Sequence, residues 1–264
     1  MSKRKKRKYL VETSAVPVAL GQSTPAHCDH FTQQTADGML STSVYIRKEF
    51  VQRWIRDYIG MAFTVDHFSD LSQALFHLNQ AFSVRAVKTE NHAIAVLLQQ
   101  KGAISNCRNM AKELGRLAVG ELKRFDRLFR SRISNSCGCR VGGKEMRVDY
   151  NHFFDDLRRF VGSVDVVSDC PINEFLGFSK HGRAPRLLEI EHIHKTKSGK
   201  QLAKLYEATK WITCTECARI GDAVISLEQP KTVCLVHIDH DFKVLCAATG
   251  RENKPILSER AVEN

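Results

Sequence analysis

The sequence predicts an α/β protein with a mainly parallel central sheet and a mostly helical insertion. Two apolar runs, residues 9–16 and 232–236, have the composition of strands buried on both faces. Amphipathic helical patterns follow each run, and alternating strands and helices are typical of a parallel sheet covered by helices. Helical periodicity also dominates residues 61–185, which predicts an insertion between the two sheet-forming parts.

Composition indicates a globular protein. The chain has 264 residues, of which 43% are hydrophobic and 26% are charged, so it can bury a sizeable core. No apolar run is long enough for a transmembrane helix, and the basic N-terminal segment lacks the cleavage site of a secretory signal. Nine scattered cysteines in a chain of this size favour a reducing compartment. We therefore expect a cytoplasmic protein, or a nuclear one in a eukaryote, with no membrane partner.

Positive charge is concentrated near the N-terminus. The formal net charge is +11, and residues 3–8 supply six positive charges, so the remaining chain has 34 basic against 29 acidic residues. We expect residues 1–8 to form a disordered basic arm. Such an arm on a basic body favours binding to a polyanion such as nucleic acid. A solubilising or targeting tail is the alternative.

The first apolar run carries one carboxylate, Glu12, followed by Thr13 and Ser14. A charged side chain in a buried strand is costly unless it is paired or bound to a cation. The sequence therefore predicts either that Glu12 belongs to a site at the end of the strand, or that it faces solvent from an edge strand.

A helix is expected at about residues 44–60, after the hydroxyl-bearing residues 41–43. Its apolar residues form one broad face, and Glu49 lies on the other side near Arg53 and Arg56. Glu49 either forms an exposed ion pair with Arg53 or points into a positively charged cleft. Helical geometry alone leaves both interpretations open.

The insertion contains two long helical patterns, residues 67–82 and 106–133, and a shorter one at residues 151–161. Basic side chains form a stripe on one face of the second pattern, opposite its leucines and phenylalanines. Together with Arg53 and Arg56, this stripe is the predicted nucleic-acid contact, because it can follow a phosphate backbone; a solvated face is the alternative. The stripe consists of Lys112, Arg116, Lys123, Arg127 and Arg130.

Residues 134–147 are rich in Gly, Ser and Cys, which predicts a loop. Cys137 and Cys139 could combine with Cys214 and Cys217 to form a four-thiolate zinc site. The one-residue spacing of the first pair, and the frequency of cysteine in cores, leave the alternative that all four are ordinary buried cysteines.

Residues 164–182 lack a clear period and are expected to be irregular. Residues 186–194 then alternate between apolar and polar side chains, which predicts a strand with His192 and His194 on one face. A helix is expected at residues 200–211.

The most informative stretch is residues 217–242. A short helix opened by Gly221 and Asp222 leads through a proline turn into the second apolar run, and Asp239 and Asp241 follow. Acids in this position are a candidate site, because ligands of open α/β sheets lie at the carboxyl ends of strands. Alternatively, Asp222 caps its helix, and the other two acids are ordinary turn residues.

This arrangement resembles that of PIN-domain nucleases. The shared features are a first strand ending in an acid and hydroxyl residues, a helix with a second acid, and a Gly-Asp helix followed by a strand and further acids. The resemblance covers residues 9–60 and 186–250, with residues 61–185 as an insertion and 251–264 as a tail. Glu12 stands where the family usually has Asp.

The resemblance implies a three-layer PIN-like fold and a metal-dependent endonuclease that most commonly acts on RNA. Mg²⁺ or Mn²⁺ would be held by carboxylates, because these ions prefer oxygen ligands and relieve the repulsion between clustered acids. The implied catalytic residues and metal ligands are Asp222, Asp239, Glu49 and Glu12, with Asp241 as an outer ligand. The alternative is a catalytically degenerate PIN-like protein that binds nucleic acid or assembles with a protein partner or a second copy.

Overall fold

The computed structural model describes residues 6–81, 106–129, 131–133, 135–165, 171–177, 181–208 and 212–256. In this part of the chain the protein is α/β, as predicted, with five strands in one sheet. The strands are β1 (Arg7–Val11), β2 (Gly38–Ser43), β3 (Ser131–Ile133), β4 (Cys234–His237) and β5 (Asn253–Pro255). Their order across the sheet is β3-β2-β1-β4-β5, and every neighbouring pair is parallel.

Helices occupy most of the remaining described chain. The first five are α1 (Val16–Ala19), α2 (Pro25–Thr35), α3 (Val44–Phe50), α4 (Arg56–Asp66) and α5 (Leu71–Ala81). A π-helical turn, Val51–Ile55, joins α3 to α4, so residues 44–66 are helical throughout. The next four are α6 (Cys107–Leu128), α7 (Phe153–Asp165), α8 (Ile172–Leu176) and α9 (Arg183–Leu188). The last four are α10 (Lys197–Glu207), α11 (Cys214–Arg219), α12 (Gly221–Glu228) and α13 (Asp241–Thr249). Short 3-10 helices span Val141–Gly143, Tyr150–His152 and Glu191–Lys195.

The chain forms two compact units. The sheet unit comprises Met1–Glu49, Leu128–Gly143 and Val167–Asn264, and the helical unit comprises Phe50–Arg127 and Lys144–Val166. The sheet unit contains all five strands.

The centre of the sheet unit is built by the two apolar runs. Tyr9, Leu10 and Val11 of β1 are fully buried, and so is all of β4. In register, Tyr9 lies opposite Cys234 and Leu10 opposite Leu235. Strands buried on both faces require continuous apolar sequence, which is why these two runs could be recognised.

The helical unit has its core along one face of α6. Met110, Leu114, Leu122 and Phe125 are buried there. Phe125 stacks on Phe50 with ring centroids 4.7 Å apart. The spacing of the four buried residues along α6 is the period expected of an amphipathic helix.

Several expectations about individual elements are wrong. Residues 186–194 are not a strand, because α9 ends at Leu188 and a 3-10 helix follows, so His192 and His194 do not share a strand face. Pro185, in the first turn of α9, is at a position where a helix tolerates proline. The helix expected over residues 106–133 ends at Leu128, because β3 then pairs with β2.

Other differences concern elements that were not expected. Helix α2 begins with Pro25 after the cap residue Thr24, whose hydroxyl accepts from the N–H of His27 at 3.4 Å. Strand β2 is also new, as is the short helix α8. Arg7 and Lys8 belong to β1, so the expected disordered arm of residues 1–8 is wrong at its end.

Candidate acidic site

The candidate site lies where β1 and β4 end side by side. The strands β2 and β3 lie on one side of β1, whereas β4 and β5 lie on the other. In an open parallel sheet, this reversal of strand order creates a crevice at the carboxyl ends, where ligands bind. Glu12 directly follows β1, and its N–H donates to the carbonyl of Val236 in β4 at 3.1 Å. The edge-strand interpretation of Glu12 is therefore wrong.

Backbone donors from both strand ends hold the Glu12 carboxylate. Oε2 accepts from the N–H of Ser14 at 2.6 Å, and Oε1 accepts from the N–H of Ile238 at 3.1 Å. Only 2% of Glu12 is exposed. The side chain is consequently fixed between the segment that leaves β1 and the segment that leaves β4.

Glu12 has a strongly altered acidity. Burial raises the pKa of Glu12 from 4.5 to about 8, because the charged form loses its hydration. The hydrogen bonds from Ser14 and Ile238 oppose this rise in pKa, whereas the nearby carboxylates of Asp222 and Glu49 add to it. Three of the acids predicted from the sequence therefore interact electrostatically in one place.

Glu49 reaches this place from α3. It is 2% exposed, so an exposed ion pair with Arg53 is ruled out. Its Oε2 accepts a short hydrogen bond from the hydroxyl of Thr13. Its Oε1 fills the position that a Cβ on Gly221 would occupy. Glycine at the start of α12 thus leaves room for the Glu49 carboxylate.

Asp222 lies in the first turn of α12. The N-cap of this helix is Ile220, which makes no side-chain cap hydrogen bond, so Asp222 is not the cap residue considered from the sequence. The partial positive charge of a helix N-terminus favours an acid in this turn. Asp222 is half-buried and raises the pKa of Glu12. Asp222 therefore forms one cluster with Glu12 and Glu49 on electrostatic grounds, and these three residues are called the acidic group.

Asp239 and Asp241 each accept a backbone hydrogen bond where β4 leads into α13. Oδ1 of Asp239 accepts from the N–H of Asp241 at 3.0 Å. Oδ2 of Asp241 accepts from the N–H of Lys197 at 2.8 Å. The first bond matches the turn interpretation of Asp239, whereas the second is a long-range contact from Asp241 to the start of α10. Because Ile238 donates to Glu12, the same loop also brings the Asp239 backbone to the edge of the acidic group.

His237 fixes the backbone of that loop. Nδ1 donates to the carbonyl of Asp239 at 2.8 Å, and Nε2 lies 3.1 Å from Oδ1 of Asn253 on β5. Burial lowers the pKa of His237. His237 therefore stabilises the loop conformation through the backbone of Asp239.

No family model, curated protein or solved structure matches this chain. The chemistry of the acids themselves indicates what they can do. Glu12, Glu49 and Asp222 present carboxylate oxygens, the donors that Mg²⁺ and Mn²⁺ prefer. In the described ranges, however, no three His, Cys, Asp or Glu side chains are arranged to hold a metal ion.

The predicted cysteine cluster is only partly described. Cys137, Cys139 and Cys217 are buried free thiols, and the side chain of Cys214 lies outside the described part. Cys139 and Cys217 interact electrostatically, but burial is the main cause that raises the pKa of Cys139. Zinc binding by these residues stays a prediction.

A buried polar cluster, which sequence reasoning missed, supports the helix that carries Glu49. Lys48 Nζ donates to Sγ of Cys217 at 3.4 Å, and the Tyr45 hydroxyl donates to the Cys217 carbonyl at 2.7 Å. Lys48 and Tyr45 are each 1% exposed. These contacts tie α3 to the segment that leads into α12. A Lys and a Tyr three residues apart in a helix gave no sequence signal of this role.

The predicted nucleic-acid contacts lie mainly on α6 of the helical unit. Lys112, Arg116, Lys123 and Arg127 are exposed, opposite the buried face of this helix. Arg116 pairs with Glu113 and lies 5.9 Å from the ring centroid of Tyr150. Arg130 falls outside the described residues.

Of the two basic residues placed beside Glu49 from the sequence, Arg56 is exposed and Arg53 is half-buried.

None of the described helices combines the length and hydropathy that a membrane crossing requires.

Proposed function

We propose that the protein is a metal-dependent endonuclease that hydrolyses phosphodiester bonds in RNA and has a three-layer PIN-like fold. The observation that carries the proposal is Glu12. It lies at the crevice between β1 and β4, where burial, with a smaller contribution from Asp222 and Glu49, raises its pKa to about 8. Perturbed carboxylates at the ligand-binding edge of a parallel sheet are typical of functional sites.

Mg²⁺ or Mn²⁺ suits this group of acids chemically. Clustered carboxylates repel each other when all are ionised, and a divalent cation replaces the proton that otherwise relieves the repulsion. Glu12, Glu49 and Asp222 would hold the ion, with Asp239 as a further ligand. When bound, the ion supplies a more acidic water and stabilises charge on the phosphate oxygens.

The chain itself positions the acids. Ser14 and Ile238 hold Glu12 through their N–H groups, and the Thr13 hydroxyl orients Glu49. Fixed carboxylates of this kind need no rearrangement to align a ligand, which favours catalysis. Gly221 has no Cβ, so the Glu49 carboxylate can lie directly against the start of α12.

The charge of the protein favours a polyanionic substrate. Its formal net charge is +11, and the exposed stripe on α6 presents four described basic side chains. Such charges bind a phosphate backbone by releasing its counterions. RNA is the proposed partner because the resemblance seen in the sequence is to nucleases that commonly act on RNA.

The test is cleavage of labelled RNA and single-stranded DNA in Mn²⁺ by the wild type and by the double variant Asp222→Asn with Asp239→Asn. We expect wild-type cleavage of RNA and a loss of at least about 100-fold in the variant, because metal-held carboxylates act as a unit. The matched control is Asp155→Asn, whose carboxylate is exposed on α7 and pairs with Arg158. Its cleavage rate should equal that of the wild type.

Metal binding can be measured separately from cleavage. Mn²⁺ that binds only the folded state raises the midpoint of thermal unfolding. We expect this rise in the wild type and in the control, and a smaller rise in the double variant. Wild-type protein that neither cleaves nor responds to Mn²⁺ would contradict the nuclease proposal.

A second candidate function is RNA binding without cleavage, by a degenerate site. The observation that favours it is that both carboxylate oxygens of Glu12 already accept backbone hydrogen bonds. Protein that binds RNA tightly in Mn²⁺ but leaves it intact, with equal affinity in the double variant, would support this function over the nuclease.

A further inference from the structure

A cleft of about 550 Å³ lies in the sheet unit, and none of the five predicted acids lines it. Its volume is in the range of sites that hold small organic ligands. Glu174 and Phe175 of α8 form part of the lining, together with His181, Arg183 and Arg186 in and before α9. The lining therefore combines one acid with two arginines and one histidine.

Arg183 lies over the ring of Phe175 in this cleft, and the pair is called the platform. The Arg183 guanidinium carbon lies 4.2 Å from the ring centroid of Phe175. Arg183 is exposed whereas Phe175 is buried, so Arg183 is the member of the pair that solvent reaches. Proteins that bind single-stranded RNA stack unpaired bases on aromatic rings and on guanidinium planes.

Arg186 adds a phosphate-binding group beside the platform. Residues three apart in a helix lie on the same face, so Arg186 and Arg183 project together from α9. Arginine recognises phosphate oxygens through paired N–H groups. His181, also exposed, is a further donor in the cleft. Glu174 is an acceptor, which suits the amino groups of a base rather than a phosphate.

Three glycines form part of the wall of the cleft. Gly138 and Gly177 line it with φ angles of +70° and +56°, and Gly182 lines it as well. A Cβ on Gly182 would overlap the Gly177 backbone. Glycine at this position lets two segments of the main chain pack closely beside the cleft.

One helix connects the cleft to the acidic group. Cys137 lines the cleft and lies beside Glu228, the last residue of α12. Asp222 is in the first turn of the same helix, six residues earlier, which corresponds to about 9 Å along the axis. The cleft and the acids are thus one short helix apart in the same unit.

We propose that this cleft binds one nucleotide of a single-stranded RNA, with the base on the Arg183–Phe175 platform and a phosphate at Arg186. The proposal rests on the proposed function for the identity of the ligand as RNA. It assigns the cleft a role in holding the strand close to the acidic group.

The test is binding of a fluorescent pentanucleotide RNA in EDTA, where no cleavage interferes. The variants are Arg183→Ala, Arg183→Lys and Arg186→Gln, with Arg140→Ala as the control, because Arg140 is an exposed arginine of the same unit that does not line the cleft. We expect Arg183→Ala to weaken binding about tenfold through lost stacking. Arg183→Lys should restore little of it, because lysine keeps the charge but not the plane.

Arg186→Gln should lower the salt dependence of binding by about 0.7 in slope, the value of one phosphate contact on a single strand. Adenosine monophosphate should compete with the pentanucleotide at concentrations at which inorganic phosphate does not. Thermal unfolding of each variant checks that the fold is retained.

The proposal is overturned if the cleft variants bind like the wild type, if Arg140→Ala weakens binding equally, or if phosphate competes as well as the nucleotide. These results are separable from those of the nuclease test. Unchanged cleavage in the Asp222 and Asp239 double variant contradicts the catalytic site alone. Unchanged pentanucleotide binding in the Arg183 and Arg186 variants contradicts the cleft alone.

Discussion

Glu12 combines two properties that normally conflict. It is a buried carboxylate at the end of the middle strand, where burial favours the neutral form, yet it accepts two backbone hydrogen bonds that favour the charged form. Burial has the larger effect, so the pKa of Glu12 rises to about 8. The protonation state of Glu12 therefore changes within the pH range in which most proteins work.

This raised pKa makes stability depend on pH. The folded protein keeps the Glu12 proton up to about pH 8, whereas the unfolded chain loses it near pH 4.5. The stabilising contribution is complete below pH 4.5 and lost above about pH 8. Between these values the free energy of unfolding should fall by about 1.4 kcal/mol per pH unit in metal-free buffer.

Urea unfolding in EDTA at pH 5, 6, 7 and 8 measures this slope. Glu12→Gln should flatten it, because glutamine does not titrate. The control Glu145→Gln replaces a largely exposed carboxylate and should leave the slope unchanged. A Glu12→Gln variant as steep as the wild type would contradict the assignment.

At the scale of single residues, the sequence indicated which acids belong to the site better than it indicated what each acid contacts. Glu12 and Asp222 could be singled out because an acid in or beside an apolar element needs a reason. Their electrostatic contact with Glu49 required the fold, since helical geometry left Glu49 either exposed or buried. Asp239 accepts from the nearby N–H of Asp241, but Asp241 accepts from Lys197, far away in sequence, and no local pattern carries that information.

Among the elements, α6 and α7 approach closely at one glycine. A Cβ on Gly115 would lie 2.5 Å from Cε1 of Phe153 and 2.9 Å from Cδ1 of Leu157. Gly120, in the same helix, has no atom within 4 Å of its Cβ position. The two glycines thus separate the packing effect from the intrinsic cost of glycine in a helix.

Gly115→Ala should destabilise the protein by about 1–3 kcal/mol, because the extra carbon forces Phe153 aside. Gly120→Ala should stabilise it by about 0.5–1 kcal/mol, because alanine is the better helix former. Urea unfolding of both variants measures the difference. If the two changes have the same sign, the close approach of α6 and α7 is wrong.

Element length explains which elements the sequence could predict. Helix α6 has 22 residues, enough for its period to be seen, whereas β3 has only three. Residues 186–194 are short enough that alternation and helical spacing both fit. Strand β2 contains Gly38 and three hydroxyl residues, 41–43, which resemble the cap of the following helix more than a strand.

At the scale of the whole molecule, the charge of +11 is carried in part by the exposed stripe on α6. Lys123→Gln with Arg127→Gln should weaken RNA binding and lower its salt slope by about 1.4, the value of two single-strand phosphate contacts. Anisotropy titrations in EDTA from 50 to 300 mM salt measure this slope.

The control for the stripe is Arg158→Gln with Arg159→Gln, on α7 of the same unit. It removes the same charge, but these arginines pair with Asp155 and Asp156. Equal slopes for the two double variants would show that net charge alone, rather than the stripe, governs binding.

The order of the strands also has a consequence for synthesis. β2 follows β1 closely in the chain, but the other neighbour of β1 is β4, so Tyr9 cannot pair with Cys234 until most of the chain is made. Pairing over such a sequence distance is slow, and domains fold as the ribosome delivers them. Glu12 and Glu49 thus emerge early, whereas Asp222 and the β4 end that completes the crevice emerge late. For the proposed nuclease, a nascent chain on its own messenger RNA would therefore lack a complete active site.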